Sequence, residues 1–135
     1  MNSWLICLPR EDMEHCIRIG TIGLGRPQGI SKVQAGEGVV CIITKEKPWK
    51  IAAIGKASSD YYVDEKPIFR KEGTFIDRFD FSAKKLNPEP SFADLIDQLA
   101  FITKKESWPA YFKSGIVRLN EADWKVLSEH AKSRV

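Results

Sequence analysis

Residues 99–119 read LAFITKKESWPAYFKSGIVRL, and this stretch places aromatic side chains directly beside cations. Its aromatic residues are Phe101, Trp108, Tyr111 and Phe112, and its cations are Lys104, Lys105, Lys113 and Arg118. Such a pattern can close a hydrophobic core whose basic side chains reach past the apolar surface to solvent. It can also form a platform on which a nucleic-acid base stacks, with phosphate-binding groups around it. We interpret most of the stretch as core, and both functions stay open for it.

The segments on either side of this stretch carry helix-start signals. Ser91 with Asp94 three residues later is a capping-box pattern that predicts a helix. The apolar stripe of this helix is Phe92, Leu95, Ile96 and Leu99. Residues 116–119 predict a short strand, and Asn120 with Asp123 predicts the start of the last helix.

The upstream half of the chain is rich in strand patterns. The predicted strands are residues 3–8, 39–44, 51–58 and 74–86, the third with a bulge at Gly55 and the last alternating so that Arg78 faces away from Phe79. Residues 11–19 predict a helix that ends at Gly20, and the glycine-rich residues 21–29 predict an irregular loop. The order β α β β β α β α indicates an α+β fold with five to six strands, about three helices and a sheet curled into a small barrel.

Composition limits the classes of protein this can be. We expect one domain over residues 1–135, with a tail that frays from about residue 132. The net charge of +3 permits an anionic partner. Cys7, Cys16 and Cys41 show no metal-ligand spacing, so we predict buried thiols, no metal and no cofactor. Without a signal-peptide pattern in residues 1–9 or an apolar run of ~20 residues, a cytoplasmic protein without a membrane partner is expected.

Several short motifs together resemble a known family. They are Trp4 within SWLIC, Gly23 with Leu24, ISKVQAGE at residues 30–37, KPIF at residues 66–69, and a C-terminal series of Phe101, Ile102, Lys105, Trp108, Phe112, Gly115, Arg118, Asp123 and Trp124. In this order and spacing the chain resembles the EVE domain family, a branch of the PUA-like superfamily that also includes YTH domains. The resemblance covers roughly residues 1–128.

The resemblance implies a mixed β-barrel with helices packed around it and a pocket on one side. Related domains accept in that pocket a flipped, often modified, base of DNA or RNA, and the family is non-catalytic. This chain departs from the family at Ile22, where a tryptophan is common, and at Gly25, where a proline is common. Gln28 lies near a common asparagine and offers the same donor and acceptor pair. Loss of the aromatic residue puts a full cage for a methylated base in doubt.

We therefore predict a base-binding pocket between the strand of Trp4, the loop at residues 21–28 and residues 108–118. The predicted binding residues are Trp4, Gly23, Leu24, Arg26, Gln28, Arg78, Lys104, Trp108, Phe112 and Arg118. An aromatic side chain there would stack the base, and Gln28 would bond its edge. Arg78 and Arg118 would contact phosphates or base edges, and the lysines would contact phosphates. Six of these residues also have a plainer interpretation: Trp4, Trp108 and Phe112 as core, and Arg78, Arg118 and Lys104 as solvated surface charges.

Two other function classes stay open. A component of an RNA- or nucleotide-modifying enzyme would need two titratable groups converging in the pocket, and the lone acids Asp60, Asp64 and Glu65 give no such signature. A protein-interaction or small-ligand module would use Tyr61, Tyr62 and Phe69 as an exposed apolar patch. We favour a non-catalytic binding module for DNA or RNA, acting as a monomer or weak homodimer.

Overall fold

The computed structural model describes residues 2–68 and 75–132, and in these ranges seven strands form one mixed sheet. The elements are β1 Ser3–Pro9, α1 Arg10–Ile19, β2 Thr21–Leu24, the 3₁₀ helix η1 Ile30–Lys32, β3 Gly38–Thr44, β4 Lys50–Ala57, β5 Tyr62–Val63, β6 Asp77–Lys85, the 3₁₀ helices η2 Phe92–Gln98 and η3 Lys105–Phe112, β7 Ile116–Leu119 and α2 Glu121–Lys132. No helix within these ranges is both long enough and apolar enough to traverse a bilayer.

The sheet has the strand order β2-β6-β4-β3-β1-β7, and β5 also pairs with β6. β1 and β3 run parallel, whereas every other pair is antiparallel. The β-branched run of β3 lies in the middle of the sheet and forms the predicted hairpin with β4. Both the central strand and the hairpin are thus confirmed, as is the α+β barrel class.

The two edges of the sheet approach each other, which gives the sheet its barrel shape. A Cβ built on Gly115, just before β7, would lie 3.7 Å from Cδ2 of Leu24 at the end of β2. A Cβ on Gly29 would lie 2.9 Å from Cγ2 of Ile116. We call this junction between the Leu24 end of β2 and the Ile116 end of β7 the seam. Side chains rather than a strand ladder close it, because β2 pairs with β6 and β7 pairs with β1.

Alternation along the strands divides the apolar side chains into two cores. In β1, Trp4 and Ile6 point into the barrel, and Leu5 and Cys7 point outwards. The inner core also contains Ile22, Leu24, Val39, Cys41, Phe79, Phe81 and Ile116, and Met13 and Cys16 of α1 pack against them. The outer core lies beneath η2, η3 and α2 and contains Val40, Ile42, Ile51, Phe92, Phe112 and Leu127.

The basic and aromatic stretch at residues 99–119 serves mainly the outer core. Phe112 is buried, and its ring meets those of Trp49, Phe92, Phe101 and Trp108 edge-on at centroid distances of 5.4–6.2 Å. Lys105 donates from Nζ to the carbonyl oxygens of Ile96 (2.9 Å) and Leu99 (2.7 Å), which lie at the end of η2. The core interpretation of Phe112 is confirmed.

Two predictions about glycine-containing segments are wrong. The first part of the supposed loop, Thr21–Leu24, is strand β2, because pairing with Asp77–Asp80 of β6 outweighs the glycine at position 23. Gly55 does not mark a bulge, since the register shift lies between Cys41 and Ile42. A Cβ on Gly55 would lie 1.9 Å from the carbonyl oxygen of Ser82, so glycine allows β4 and β6 to approach closely there.

The two predicted capping boxes have different outcomes. Before α2, the backbone N–H of Asp123 donates to Asn120 Oδ1 (2.8 Å), and Asn120 Nδ2 donates back to Asp123 Oδ2 (3.1 Å), so this cap is confirmed. Ser91 makes no such bond, because its backbone forms a bridge with Lys50 and the following residues form a 3₁₀ helix. The predicted frayed tail falls largely on residues 133–135, outside the described residues.

Candidate functional site

The two tryptophans predicted to line one slot lie on opposite sides of the sheet. Trp4 is 2% exposed and belongs to the inner core. Trp108 is half-buried against the outer core, 4.9 Å from Trp49 between ring centroids and 5.7 Å from Phe92. The predicted single slot is therefore wrong, because the strands of the sheet separate the two indoles.

Trp4 has the environment of a core residue. Its Nε1 donates to Glu37 Oε1 at 2.9 Å, and the same carboxylate oxygen accepts the backbone N–H of Gln34 at 2.7 Å. Both Trp4 and Glu37 are buried, and Ile22 is fully buried in the same core. Neither position presents an aromatic face to solvent, so Trp4 is corrected from a stacking residue to a structural one.

Trp108, Phe112 and Lys104 belong to a separate region outside the barrel. Lys104 is exposed, and its backbone N–H donates to the hydroxyl of Tyr111 at 3.0 Å. Hydrogen bonds from Thr103 and Lys104 to that hydroxyl lower the pKa of Tyr111. These contacts hold residues 103–104, just before η3, against Tyr111 near its end. The structure does not bring this group to the seam.

The remaining polar residues of the predicted pocket lie at the seam. Arg118 stands opposite Trp4 in the β1–β7 ladder, so its side chain starts from the inner side of the edge strand, and it is exposed. Arg26 and Gln28 are exposed on the loop that leaves β2. Both ends of that loop touch the start of β7, at Leu24 and at Gly29. Within residues 2–68 and 75–132, we find no hydrogen bond or ion pair from the side chain of Arg26, Gln28 or Arg118.

A surface pocket adjoins the seam at the other end of β7. Its volume is about 520 Å³, and its lining residues are Asn2, Arg118, Leu119, Asn120 and Glu121. Arg118 thus lies between the seam and this polar pocket.

Arg78 has a different role from either predicted one. It is only 3% exposed, its Nε donates to the carbonyl oxygen of Phe75 (2.9 Å), and its Nη2 donates to that of Lys66. Its Nη1 also lies 3.6 Å from Asp64 Oδ2. The prediction of a phosphate contact or a solvated charge is wrong, because the segment before β6 covers Arg78 and occupies its donors.

That covering segment passes closely over β2. A Cβ on Gly23 would lie 2.6 Å from Cδ1 of Ile68 and 3.2 Å from the carbonyl oxygen of Phe75. Gly23 is therefore needed for packing rather than for access of a ligand. The sequence pattern placed Phe75 on a strand, whereas it precedes β6 and packs against Gly23 of β2.

The hydroxyl groups of the two tyrosines proposed as part of an interaction patch donate hydrogen bonds to carboxylates. Tyr61 donates to Asp77 Oδ1 and Tyr62 to Asp80 Oδ1, each at 2.6 Å. The hydrogen bond to Asp77 raises the pKa of Tyr61, and burial followed by the bond to Asp80 raises that of Tyr62. Both phenols stay protonated donors at neutral pH, and their half-buried rings do not form an exposed patch. Phe69, the third patch residue, lies outside the described residues.

The cysteines are buried and unpaired, as predicted. Burial raises the pKa of Cys7, Cys16 and Cys41, and the pKa of Cys16 rises to about 12. In the described ranges, no group of three or more His, Cys, Asp or Glu side chains is arranged to hold a metal ion.

Sequence comparisons give distant relatives of nearly the same length. No protein-family model matches the chain. The UPF0310 protein of Mycolicibacterium vanbaalenii is 26% identical over 137 residues, which cover 94% of this chain and 90% of that one. The UPF0310 protein of Pyrococcus horikoshii is 27% identical over 143 residues, which cover 96% of this chain and 98% of that one.

Solved structures share the fold at low identity. A hypothetical protein from Leishmania major has a TM-score of 0.72 at 10% identity, covering 98% of this chain and 96% of that one. Human THYN1 in complex with DNA containing 5-methylcytosine has a TM-score of 0.66 at 14% identity, covering 98% of each chain. The Mmi1 YTH domain has a TM-score of 0.66 at 11% identity, covering 98% of this chain and 75% of that one. The fold is thus the PUA-like fold of EVE-type and YTH domains, and the predicted resemblance is confirmed at this level.

Proposed function

We propose that this chain is a non-catalytic nucleic-acid-binding module that takes one unstacked base, plain or modified, at the seam. The observation that carries the proposal is the set of exposed polar side chains there, Arg26, Gln28 and Arg118, for which the described ranges contain no protein partner. THYN1, which has the same fold, is bound to DNA containing 5-methylcytosine. That ligand supports a nucleic acid as the partner class for this chain.

Each of these side chains offers the contact that one part of a nucleotide needs. Arginine neutralises backbone phosphates, and this contact makes affinity depend on salt concentration. The amide of Gln28 presents a donor and an acceptor together, as base edges require. Leu24 and Ile116, which belong to the inner core, lie between these polar groups. A base in the seam would therefore meet apolar surface on its faces and polar groups at its edge.

The cost of extruding the base favours single strands and weakened pairs. Unpairing and unstacking a base costs a few kcal/mol in a duplex and less in a single strand or at a damaged or mismatched position. With Ile22 and Trp4 both buried, the inner core supplies no aromatic cage to offset that cost. We therefore propose that single-stranded DNA or RNA binds more tightly than the matching duplex.

A non-catalytic role agrees with the chemistry of the seam. Arginine and glutamine side chains do not exchange protons near neutral pH. Elsewhere on the barrel, the titratable pairs Tyr61 with Asp77 and Tyr62 with Asp80 satisfy one another through hydrogen bonds. The seam therefore resembles a binding site more than a site for acid–base catalysis.

Fluorescence anisotropy with short labelled oligonucleotides tests the proposal. The probes are single-stranded DNA and RNA that are unmodified or carry one central 5-methylcytosine, together with their duplexes. Arg118→Ala is expected to weaken binding by about tenfold, equivalent to ~1.4 kcal/mol, as for the loss of one charge-assisted contact. Lys125→Ala removes an equal charge from the exposed side of α2 and is expected to bind like the wild type. Binding no tighter than that of an unrelated protein of equal net charge at low salt would contradict the proposal.

A further inference from the structure

Asp77 is a buried carboxylate on the inner face of the barrel, at the start of β6. It alternates along the strand with Phe79 and Phe81 of the inner core, and only 4% of its surface is exposed. In the β2–β6 ladder it stands opposite Leu24, the last residue of β2, so the two side chains start next to each other on one face. The carboxyl group of Asp77 therefore lies one strand away from the seam.

The loop that carries Arg26 and Gln28 is attached to this part of the barrel at both of its ends. It leaves β2 at Leu24, the ladder partner of Asp77. It returns through η1, which packs against β6. The loop thus begins beside Asp77 and ends against the strand that carries Asp77.

In the part of the chain that the structure describes, only one oxygen of this carboxylate has a partner. Oδ1 accepts the hydroxyl of Tyr61 at 2.6 Å, and within residues 2–68 and 75–132 nothing donates to Oδ2. In the same ranges, every fully enclosed side-chain nitrogen or oxygen has a hydrogen-bond partner. Oδ2 is therefore not fully enclosed, and it borders space that water or a small polar group can reach.

Tyr61 holds the carboxylate in place before any ligand arrives. Its backbone N–H donates to the carbonyl oxygen of Val33, just after η1, at 3.1 Å, and its half-buried ring packs against the inner core. The tyrosine is thus anchored through its backbone and its ring, and its hydroxyl fixes Oδ1 of Asp77. An acceptor that is already positioned loses little conformational entropy on binding.

We propose that Oδ2 of Asp77 accepts a hydrogen bond from the exocyclic amino group of the bound base, and that Tyr61 is its positioning residue. This inference rests on the proposed function and names the class of base. A carboxylate can only accept hydrogen bonds. Cytosine and adenine carry an amino donor, whereas uracil and thymine carry the acceptor O4 in its place. The site would therefore prefer an amino-bearing base, because a uracil would set two acceptors against each other.

The test uses single strands that carry one central base between abasic residues, so that only one register of binding is possible. The central base is cytosine, uracil or 2-pyrimidinone, in which a hydrogen replaces the amino group of cytosine. By fluorescence anisotropy, the wild type is expected to bind the cytosine probe about tenfold more tightly than the other two. Equal affinity for the cytosine and uracil probes would overturn the inference.

Asp77→Asn tests the acceptor with a side chain of nearly the same shape. An amide can donate as well as accept, so the ratio of cytosine to uracil affinity should fall to about one. Asp80→Asn is the matched control, since Asp80 also accepts a tyrosine hydroxyl, that of Tyr62 at 2.6 Å, but alternation along β6 places it on the outer face. Its ratio should equal that of the wild type. A cytosine preference that survives Asp77→Asn would refute the role of Asp77.

Tyr61→Phe tests the positioning role. Without the hydroxyl, the carboxylate of Asp77 can turn, and the preference for cytosine should fall between that of the wild type and that of Asp77→Asn. Affinity for the uracil probe should not change, because uracil makes no bond to Oδ2. Equal weakening of both probes would show that Tyr61 has a structural role alone.

Nuclear magnetic resonance gives a readout that needs no variant. With nitrogen-15 in the amino group of the central cytosine, one amino proton should shift downfield and exchange more slowly with water when the wild type binds. Amino signals that stay as in the free strand would overturn the inference. If Asp77→Asn unfolds, as its melting curve will show, this measurement still decides.

The outcomes separate the two proposals. If the wild type binds none of the probes, or binds a fully abasic strand as tightly as the others, the proposed function and this inference both fail. If it binds the cytosine and uracil probes equally and both more tightly than the abasic strand, only this inference fails. If it prefers cytosine and Asp77→Asn removes that preference, both proposals are supported.

Discussion

The indole of Trp4 and the carboxylate of Glu37 form a buried hydrogen bond, with 2.9 Å between Nε1 and Oε1. Trp4 lies on β1, and Glu37 immediately precedes β3, the parallel neighbour of β1. The same carboxylate oxygen accepts the backbone N–H of Gln34. One side chain therefore satisfies two donors at the point where the turn enters the central strand, which explains why a polar group is tolerated in the inner core.

Glu37→Ala is expected to destabilise the fold by about 2–4 kcal/mol, because it leaves the buried indole N–H of Trp4 and the part-buried backbone N–H of Gln34 without an acceptor. Glu37→Gln keeps an amide oxygen as an acceptor and should cost less. Urea unfolding followed by tryptophan fluorescence measures both values. Glu129→Ala, at an exposed position of α2, is the matched control and should change stability by less than about 0.5 kcal/mol. Equal stability of Glu37→Ala and this control would contradict the role of Glu37.

Gly55→Ala should be among the most damaging single-methyl additions in the chain. The new Cβ would lie 1.9 Å from the Ser82 carbonyl oxygen and 2.6 Å from Cα of Ala83, both of them backbone atoms of β6. We expect a loss of at least about 3 kcal/mol, because two paired strands would have to separate. A Cβ built on Gly36 would have no non-neighbouring atom within 4 Å, but φ there is +91°, so Gly36→Ala should cost only about 1 kcal/mol through backbone strain. Thermal melting of the two variants gives the comparison.

Local sequence patterns predicted two kinds of element: those that are stabilised by local contacts and those that are fully buried. The β-branched run of β3 and the Asn120–Asp123 cap of α2 were both evident from the sequence, and the structure confirms them. β2 was missed because its four residues become a strand only through pairing with β6, more than fifty residues later. A glycine-rich segment carries no local signal of such a distant partner.

The site was less predictable because burial depends on contacts that are distant in sequence. Alternation correctly placed Arg78 opposite Phe79 on β6. It could not indicate that Lys66 and Phe75 would cover Arg78 and accept its hydrogen bonds. Similarly, the alternation of side chains along β1 places Trp4 on the side of the sheet away from the outer core. The sequence pattern does not indicate which side of the sheet η3 covers.

Glu46→Gln should reduce stability at neutral pH and lose this effect in acid. Hydrogen bonds from Arg10, at 2.8 Å and 3.1 Å, lower the pKa of Glu46 below its usual 4.5. The unfolded state therefore binds the proton more readily than the folded state. The stabilisation is fully present above pH 4.5 and disappears as the pH falls through the lowered value. Urea unfolding of wild type and Glu46→Gln from neutral to strongly acid pH should show two curves that converge, and parallel curves would contradict the linkage.

Ile22→Trp should not restore the aromatic cage that the resemblance associates with this position. Ile22 is fully buried in the inner core, so an indole there would overpack it and cost about 1–3 kcal/mol. Ile19→Trp, where the isoleucine is 41% exposed, is the matched control and should be nearly neutral. Denaturant unfolding measures the cost, and anisotropy with the 5-methylcytosine probe measures any gain. A stable Ile22→Trp variant that binds this probe more tightly than the wild type would show that the inner core can open to a base.

Arg26 and Arg118 should each account for one phosphate contact in the salt dependence of binding. For single strands, each neutralised phosphate contributes about 0.7 to the slope of log affinity against log salt. Arg26→Ala and Arg118→Ala should each lower the slope by about 0.7, and the double variant by about 1.4, because the two side chains extend from opposite edges of the seam. Lys125→Ala, on the far side of the outer core, should leave the slope unchanged. If the double variant keeps the slope of the wild type, phosphates are bound elsewhere on the surface, and the basic stretch around Lys104 and Trp108 becomes the next place to substitute.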